Sequence, residues 1–151
     1  TSMLVRLNNV PKKFNLGEIK SALNFFAEKL MHKNLCKNIR LLVCFGDRQD
    51  NTTCWEDDNI RPREFTITIN SKMGYSNMLT TLAHEMVHVK QYATGQLRDS
   101  MRGPSLQRWM NMPINSNDIE YWDLPWEVEA YGRERGLYFR FRQQGKKDVK
   151  A

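Results

Sequence analysis

An α+β fold in a single domain is the reading on which three observations agree. Apolar residues recur at helical spacing in separate stretches, and two β-rich runs lie between the first of these and the next. At 151 residues and 40% hydrophobic content, the chain is long enough for one core and too short for two.

Residues 1–14 hold a short apolar alternation, Leu4-Val5-Arg6-Leu7, followed by Pro11 and Lys12-Lys13. They read as an N-terminal extension that pairs at a sheet edge or drapes over a domain expected to span 15–142. From Asn15 to about Lys33, Leu16, Ile19, Leu23, Phe26, Ala27 and Leu30 repeat with the period of an amphipathic helix. Asn15 and Glu18, three residues apart, resemble a capping box. His32 falls in the expected last turn, where a protonated imidazole complements the helix dipole. Ile39 to Phe45 is a β-rich apolar run ending at Gly46-Asp47. Phe65 to Asn70 alternates apolar and polar residues, as a strand with one face on a core does. Between these runs, Trp55-Glu56-Asp57-Asp58 fits either a strand start or an acidic turn.

A second helix is expected from about Asn77 to Thr94, with Ser76 as N-cap, Gly95 as its stop, and Leu79, Leu82, Ala83 and Met86 as its buried stripe. The span from Gly95 to Asp123 reads as long and irregular. It is broken by Gly103-Pro104 and Pro113, with Ser105 to Met112 as a candidate short helix. Loops of this length in a compact domain are often lids or binding elements. Trp109, Met110 and Met112 suit either an apolar wall toward a substrate or packing over the core. Asp123-Leu124-Pro125 reads as a helix start, and Trp126 to about Phe141 as the last helix. Residues 143–151 read as a basic flexible tail.

Lysine and arginine number 23 against 17 acidic residues, a net charge of +6, and part of the excess is Arg140, Arg142, Lys146, Lys147 and Lys150. Such a balance is compatible with a nucleic-acid partner, although charge at a chain end commonly serves solvation alone. No apolar run approaches a membrane span and no signal-peptide pattern opens the chain, so a cytoplasmic, intracellular address without membrane association is expected. Cys36, Cys44 and Cys54 are odd in number and lack CxxC spacing, which fits buried thiols better than a disulfide or a cysteine-metal site.

The chemistry concentrates in Ala83-His84-Glu85-Met86-Val87-His88-Val89, which contains two of the three histidines. On a helix, His84 and His88 lie about 40° apart around the axis and one turn apart along it, a two-point clamp for a metal ion. Glu85, about 100° from His84 and about 60° from His88, flanks that clamp as a base toward a water on the metal. A catalytic zinc site needs a third protein ligand. Gln91 and Thr94 stand where an HExxHxxGxxH motif has Gly and His, and no histidine comes after His88. The acidic start of the last helix is the better source. Glu127, Tyr131 and Glu134 share one of its faces, and Glu129 points about 200° away from Glu127, so only one of Glu127 and Glu129 can be the ligand.

HEMVH on a helix, preceded by an edge-type strand and followed after a loop by a helix bearing Glu-x-x-Ala, resembles the gluzincin branch of zinc metallopeptidases. The resemblance implies zinc as cofactor, His84 and His88 as ligands, Glu85 as general base, and Glu127, three residues before Ala130, as the third ligand. Where many gluzincins carry an acidic residue one turn beyond that glutamate, this chain has Tyr131. The compact layout is also similar to the minimal zincins of the SprT and Spartan type, some of which act on proteins bound to DNA and which typically use a third histidine. The resemblance implies a single-domain minimal zincin. It would have a small mixed sheet, an N-terminal helix, an active-site helix and a C-terminal helix carrying the third ligand, and would hydrolyse a protein or peptide substrate laid along the Phe65 to Asn70 strand. Tyr131, Tyr121, Tyr92 and Arg133 are candidate donors to a developing oxyanion. The competing expectation is a non-catalytic, zinc-stabilised module that binds nucleic acid or protein.

Overall fold

The computed structural model describes residues 3–47, 52–55, 61–99 and 105–150, and for 52–55 and 145–150 it describes the backbone alone. Its larger sheet has the strand order β1-β2-β4-β3, formed by β1 (Leu4–Asn8), β2 (Arg40–Gly46), β3 (Thr52–Trp55) and β4 (Glu64–Asn70). β1, β2 and β4 run parallel, and β3 is antiparallel to β4. Among the described residues no helix is long and apolar enough to cross a membrane.

The alternation along β2 and β4 buries Leu41, Val43, Phe45, Phe65, Ile67 and Ile69, which gives the sheet one fully covered face. Helices α1 (Leu16–Leu30), α3 (Tyr75–Ala93) and α4 (Pro125–Lys150) contact one another, and their apolar residues join the same core. Ile19, Leu23, Phe26 and Ala27 of α1 and Leu79, Leu82, Ala83 and Met86 of α3 are fully buried. Burial of this kind contributes about 1.5–3 kcal/mol for each large side chain, before conformational entropy is subtracted.

Several boundaries differ from expectation. Residues 4–8 are an edge strand of the sheet with Met3 and Val5 buried, the pairing alternative of the two expected, so the packed unit takes in residues ahead of the expected 15–142 span. The apolar alternation there completes the sheet against β2. α1 ends at Leu30, and His32 is not in its last turn. Instead its Nδ1 accepts from Asn34 N at 3.1 Å, capping the short helix α2 (Lys33–Cys36). Asn15 caps α1 by accepting from Glu18 N at 3.0 Å, but the Glu18 side chain turns away to the Tyr75 hydroxyl and Arg142, tying α1 to α3 and α4. Ser76 lies inside α3, whose N-cap is Gly74 with no side-chain bond. Gly95 does end that helix, at φ 76°, where a β-carbon would also stand 3.0 Å from Arg61 Nε. Cys36 and Cys44 are free thiols, Cys36 buried and Cys44 half-buried. Trp55 ends β3, while Glu56-Asp57-Asp58 and the Cys54 side chain lie outside the described residues.

The expected irregular span holds a second, three-stranded antiparallel sheet of β5 (Leu97–Asp99), β6 (Leu106–Trp109) and β7 (Met112–Asn115). A hairpin replaces the candidate helix over Ser105 to Met112, turning at Met110 and Asn111, both at positive φ. Trp109 packs with its ring tilted against Trp126, 6.3 Å between centroids, in a satellite core with Leu97 and Leu124, whereas Met110 and Met112 are exposed. Turns of 3-10 helix at Ser116–Asp118 and Tyr121–Asp123 then lead into α4. Pro125 opens that helix, where its missing N–H costs nothing. The backbone of α4 stays helical to Lys150, through most of the stretch expected as a flexible tail.

Candidate metal centre

The two longest helices build the site. α3 is pinned by its buried stripe, which turns His84 and His88 toward α4, and their rings stand 4.9 Å apart. His84, Glu85 and His88 bring ligand atoms within 4.8 Å of one another, so this group could hold a metal ion. From α4, Glu127 Oε1 lies 3.2 Å from Nε2 of His84 and 3.2 Å from Nε2 of His88. Glu85 is 4% exposed and lines, with these three, a cavity of about 310 Å³ that Thr81, Tyr121, Tyr131 and Glu134 complete.

The opposite ring nitrogens are held from outside the cluster. His84 Nδ1 meets Glu134 Oε1 at 3.3 Å, and His88 Nδ1 meets Gln91 Oε1 at 2.8 Å. A carboxylate and an amide carbonyl only accept, so each holds a proton on Nδ1; Nε2 then donates to Glu127 when the ring is protonated and is the atom left for a metal when the ring is neutral. Gln91 is fully buried, and its amide nitrogen donates to the Trp126 carbonyl at 2.9 Å and to Glu129 Oε1 at 3.0 Å. Glu129 is locked in turn by Lys90 at 2.7 Å and Arg133 at 3.0 Å. The two glutamates thus separate as the helical register predicts: Glu127 joins the cluster and Glu129 braces the helix pair behind it.

Electrostatics reflect these contacts. Burial alone would push the Glu127 carboxyl up, but hydrogen bonds from His84 and His88 and their charge pull it down to about 2. Burial works against a charged His88, yet the bond and charge of Glu127, with Gln91 and Glu85 behind, hold its imidazole above the ordinary histidine range. Burial, the 3.2 Å bond to Tyr131 and the nearby Glu127 push the Tyr121 hydroxyl up, keeping it a proton donor.

No family model, curated protein or solved structure matches the chain. The site therefore stands on its own geometry.

Of the four donor candidates, Tyr121 and Tyr131 line the cavity, Tyr92 packs into the core, and Arg133 is engaged with Glu129. Glu134, two turns beyond Glu127, sets a carboxylate against His84 Nδ1, while Tyr131 lies against the His84 ring. Helical register places Glu134 on the face of Glu127 without giving it a partner. Gln91 stands out in the sequence only as a departure from a motif, although its i+3 spacing from His88 is a usable signal. The strand expected to receive a substrate, β4, is interior between β2 and β3. The sheet edges are β1 and β3, because the chain enters β4 after adding the antiparallel strand outside it.

Proposed function

We propose that the chain is a zinc-dependent peptidase in which His84, His88 and Glu127 hold the metal and Glu85 is the general base, acting on a protein or peptide. The observation that carries this reading is the pair of 3.2 Å separations from Glu127 Oε1 to the two Nε2 atoms. Donors bonded at about 2.0–2.1 Å to a tetrahedral zinc stand about 3.3 Å apart. Two imidazoles and one carboxylate also leave a position open, whereas a structural zinc is normally enclosed by four protein ligands. The resemblance to gluzincins rests on the same residues.

When bound, zinc supplies Lewis acidity, which makes water a nucleophile near neutral pH and polarises a carbonyl. Glu85 takes a proton from water as its oxygen bonds to the peptide carbonyl carbon, and gives a proton to the amine as the C–N bond breaks. The hydroxyls of Tyr121 and Tyr131 face the same cavity and can donate to the oxygen that becomes negative. A non-catalytic, zinc-stabilised module would use the same ligands but would give Glu85 no task.

Peptide hydrolysis by the purified chain is expected to stop on chelation and to return with stoichiometric zinc. Activity that survives exhaustive chelation would refute the reading. Gln91→Leu is expected to weaken zinc binding by about 10–100-fold, because it frees the ring of His88 from its outer partner. The same change costs about 1–3 kcal/mol of stability through the unmatched Trp126 carbonyl and His88 N–H. Competition with a chelating dye, on protein shown folded by circular dichroism, measures the first effect. An unchanged zinc affinity would remove Gln91 from the positioning role.

A further inference from the structure

The cleft between α3 and α4 does not end at the metal cluster. A second cavity of about 440 Å³ adjoins the first and shares Tyr131 and Glu134 with it as a common wall. On the α3 side it is lined by Ser76, Asn77 and Thr80, and on the α4 side by Arg135, Tyr138 and Phe139. None of these residues belongs to the cluster that meets Glu127.

The basic group on this wall differs from its neighbours on the same helix. Arg133 pairs with Glu129, Arg140 donates to the Gly136 carbonyl, and Arg142 pairs with Glu18. Arg135 has neither an ion pair nor a hydrogen bond among the described residues, and its guanidinium rests 5.6 Å over the Phe139 ring. A cation–π contact of that kind leaves the N–H donors of the guanidinium available. Across the cavity, the side chains of Ser76, Asn77 and Thr80 also bond to no described residue. The negative group in the lining, Glu134, is committed to His84 Nδ1 at 3.3 Å. A guanidinium, two hydroxyls and an amide lining one cavity beside an aromatic ring are a donor set suited to a carboxylate.

We infer that this cavity is a specificity subsite for an acidic side chain of the substrate, with Arg135 as its determinant. The inference rests on the peptidase reading for the identity of the substrate, and its location beside the cluster would place that side chain next to the reacting bond. It names a substrate class, peptides carrying Asp or Glu.

Binding tests it apart from catalysis. Capped peptides identical but for one central residue, Glu, Lys, Phe or Ala, are titrated calorimetrically into zinc-supplemented Glu85→Gln protein. The Glu peptide is expected to bind about tenfold more tightly than the Ala peptide, the scale of a charge-assisted hydrogen bond. Adding Arg135→Glu is expected to abolish that preference and favour Lys, and Arg135→Gln to abolish it without reversal. Arg140→Glu, a charge change of equal size outside the cavity, is expected to leave the order intact. A Glu preference that survives Arg135→Glu, a tightest fit for Phe, or no binding of any peptide would overturn the inference. If the binding order holds but the wild type hydrolyses none of the peptides, the peptidase reading falls and the acidic subsite stands.

Discussion

Glu85→Gln is expected to lower kcat for peptide hydrolysis by about 10²–10⁴-fold, the range general acid–base catalysis supplies, while zinc content stays at the wild-type level. The expectation comes from the position of Glu85: it sits one residue after His84 on the same helix, buried at the wall of the cavity that the histidines and Glu127 share. An amide of nearly the same shape preserves packing but cannot accept the proton. Glu127 and Glu134 cannot substitute, since each already faces a histidine nitrogen. A non-catalytic module predicts no such dependence. A variant that cleaves as fast as its parent, with zinc bound, would remove Glu85 from the mechanism.

The second large effect is expected at Glu127. Glu127→Ala is expected to weaken zinc binding by well over the roughly 10–100-fold attached to outer partners, because it deletes a ligand rather than a support. Glu129→Ala lies two residues away and removes an equal charge, so it controls for electrostatics. It leaves Lys90, Arg133 and Gln91 without their shared acceptor and is expected to cost stability first. Zinc competition separates the two variants. Equal losses of zinc would mean that Glu127 acts only through the net charge of the helix.

Much of the frame was legible from periodicity. The buried stripes of α1 and α3 and the strict alternation of β4 each repeat over several turns or residues, so local pattern and tertiary burial agree. The β6–β7 hairpin was not legible. Its strands are four residues each, Pro113 interrupts one of them, and Met110-Asn111 replaces the glycine-containing turn that usually marks such a hairpin. Strand order is non-local, which is why β4 read as an edge although β3 lies outside it. In the site, His84, Glu85 and His88 are set by spacing on one helix, and the opposite directions of Glu127 and Glu129 by register on another. The engagement of Gln91 and Glu134 depends on how α3 docks against α4, and no pattern within either helix specifies that.

The central claim is that these two helices hold a zinc ion, and the most direct measurement is zinc per chain by elemental analysis of the purified wild-type protein. The account predicts about one zinc per chain, the stoichiometry of a single mononuclear site. A chain that carries no zinc even after supplementation would contradict it, leaving His84, His88 and Glu127 as a hydrogen-bonded cluster between two packed helices.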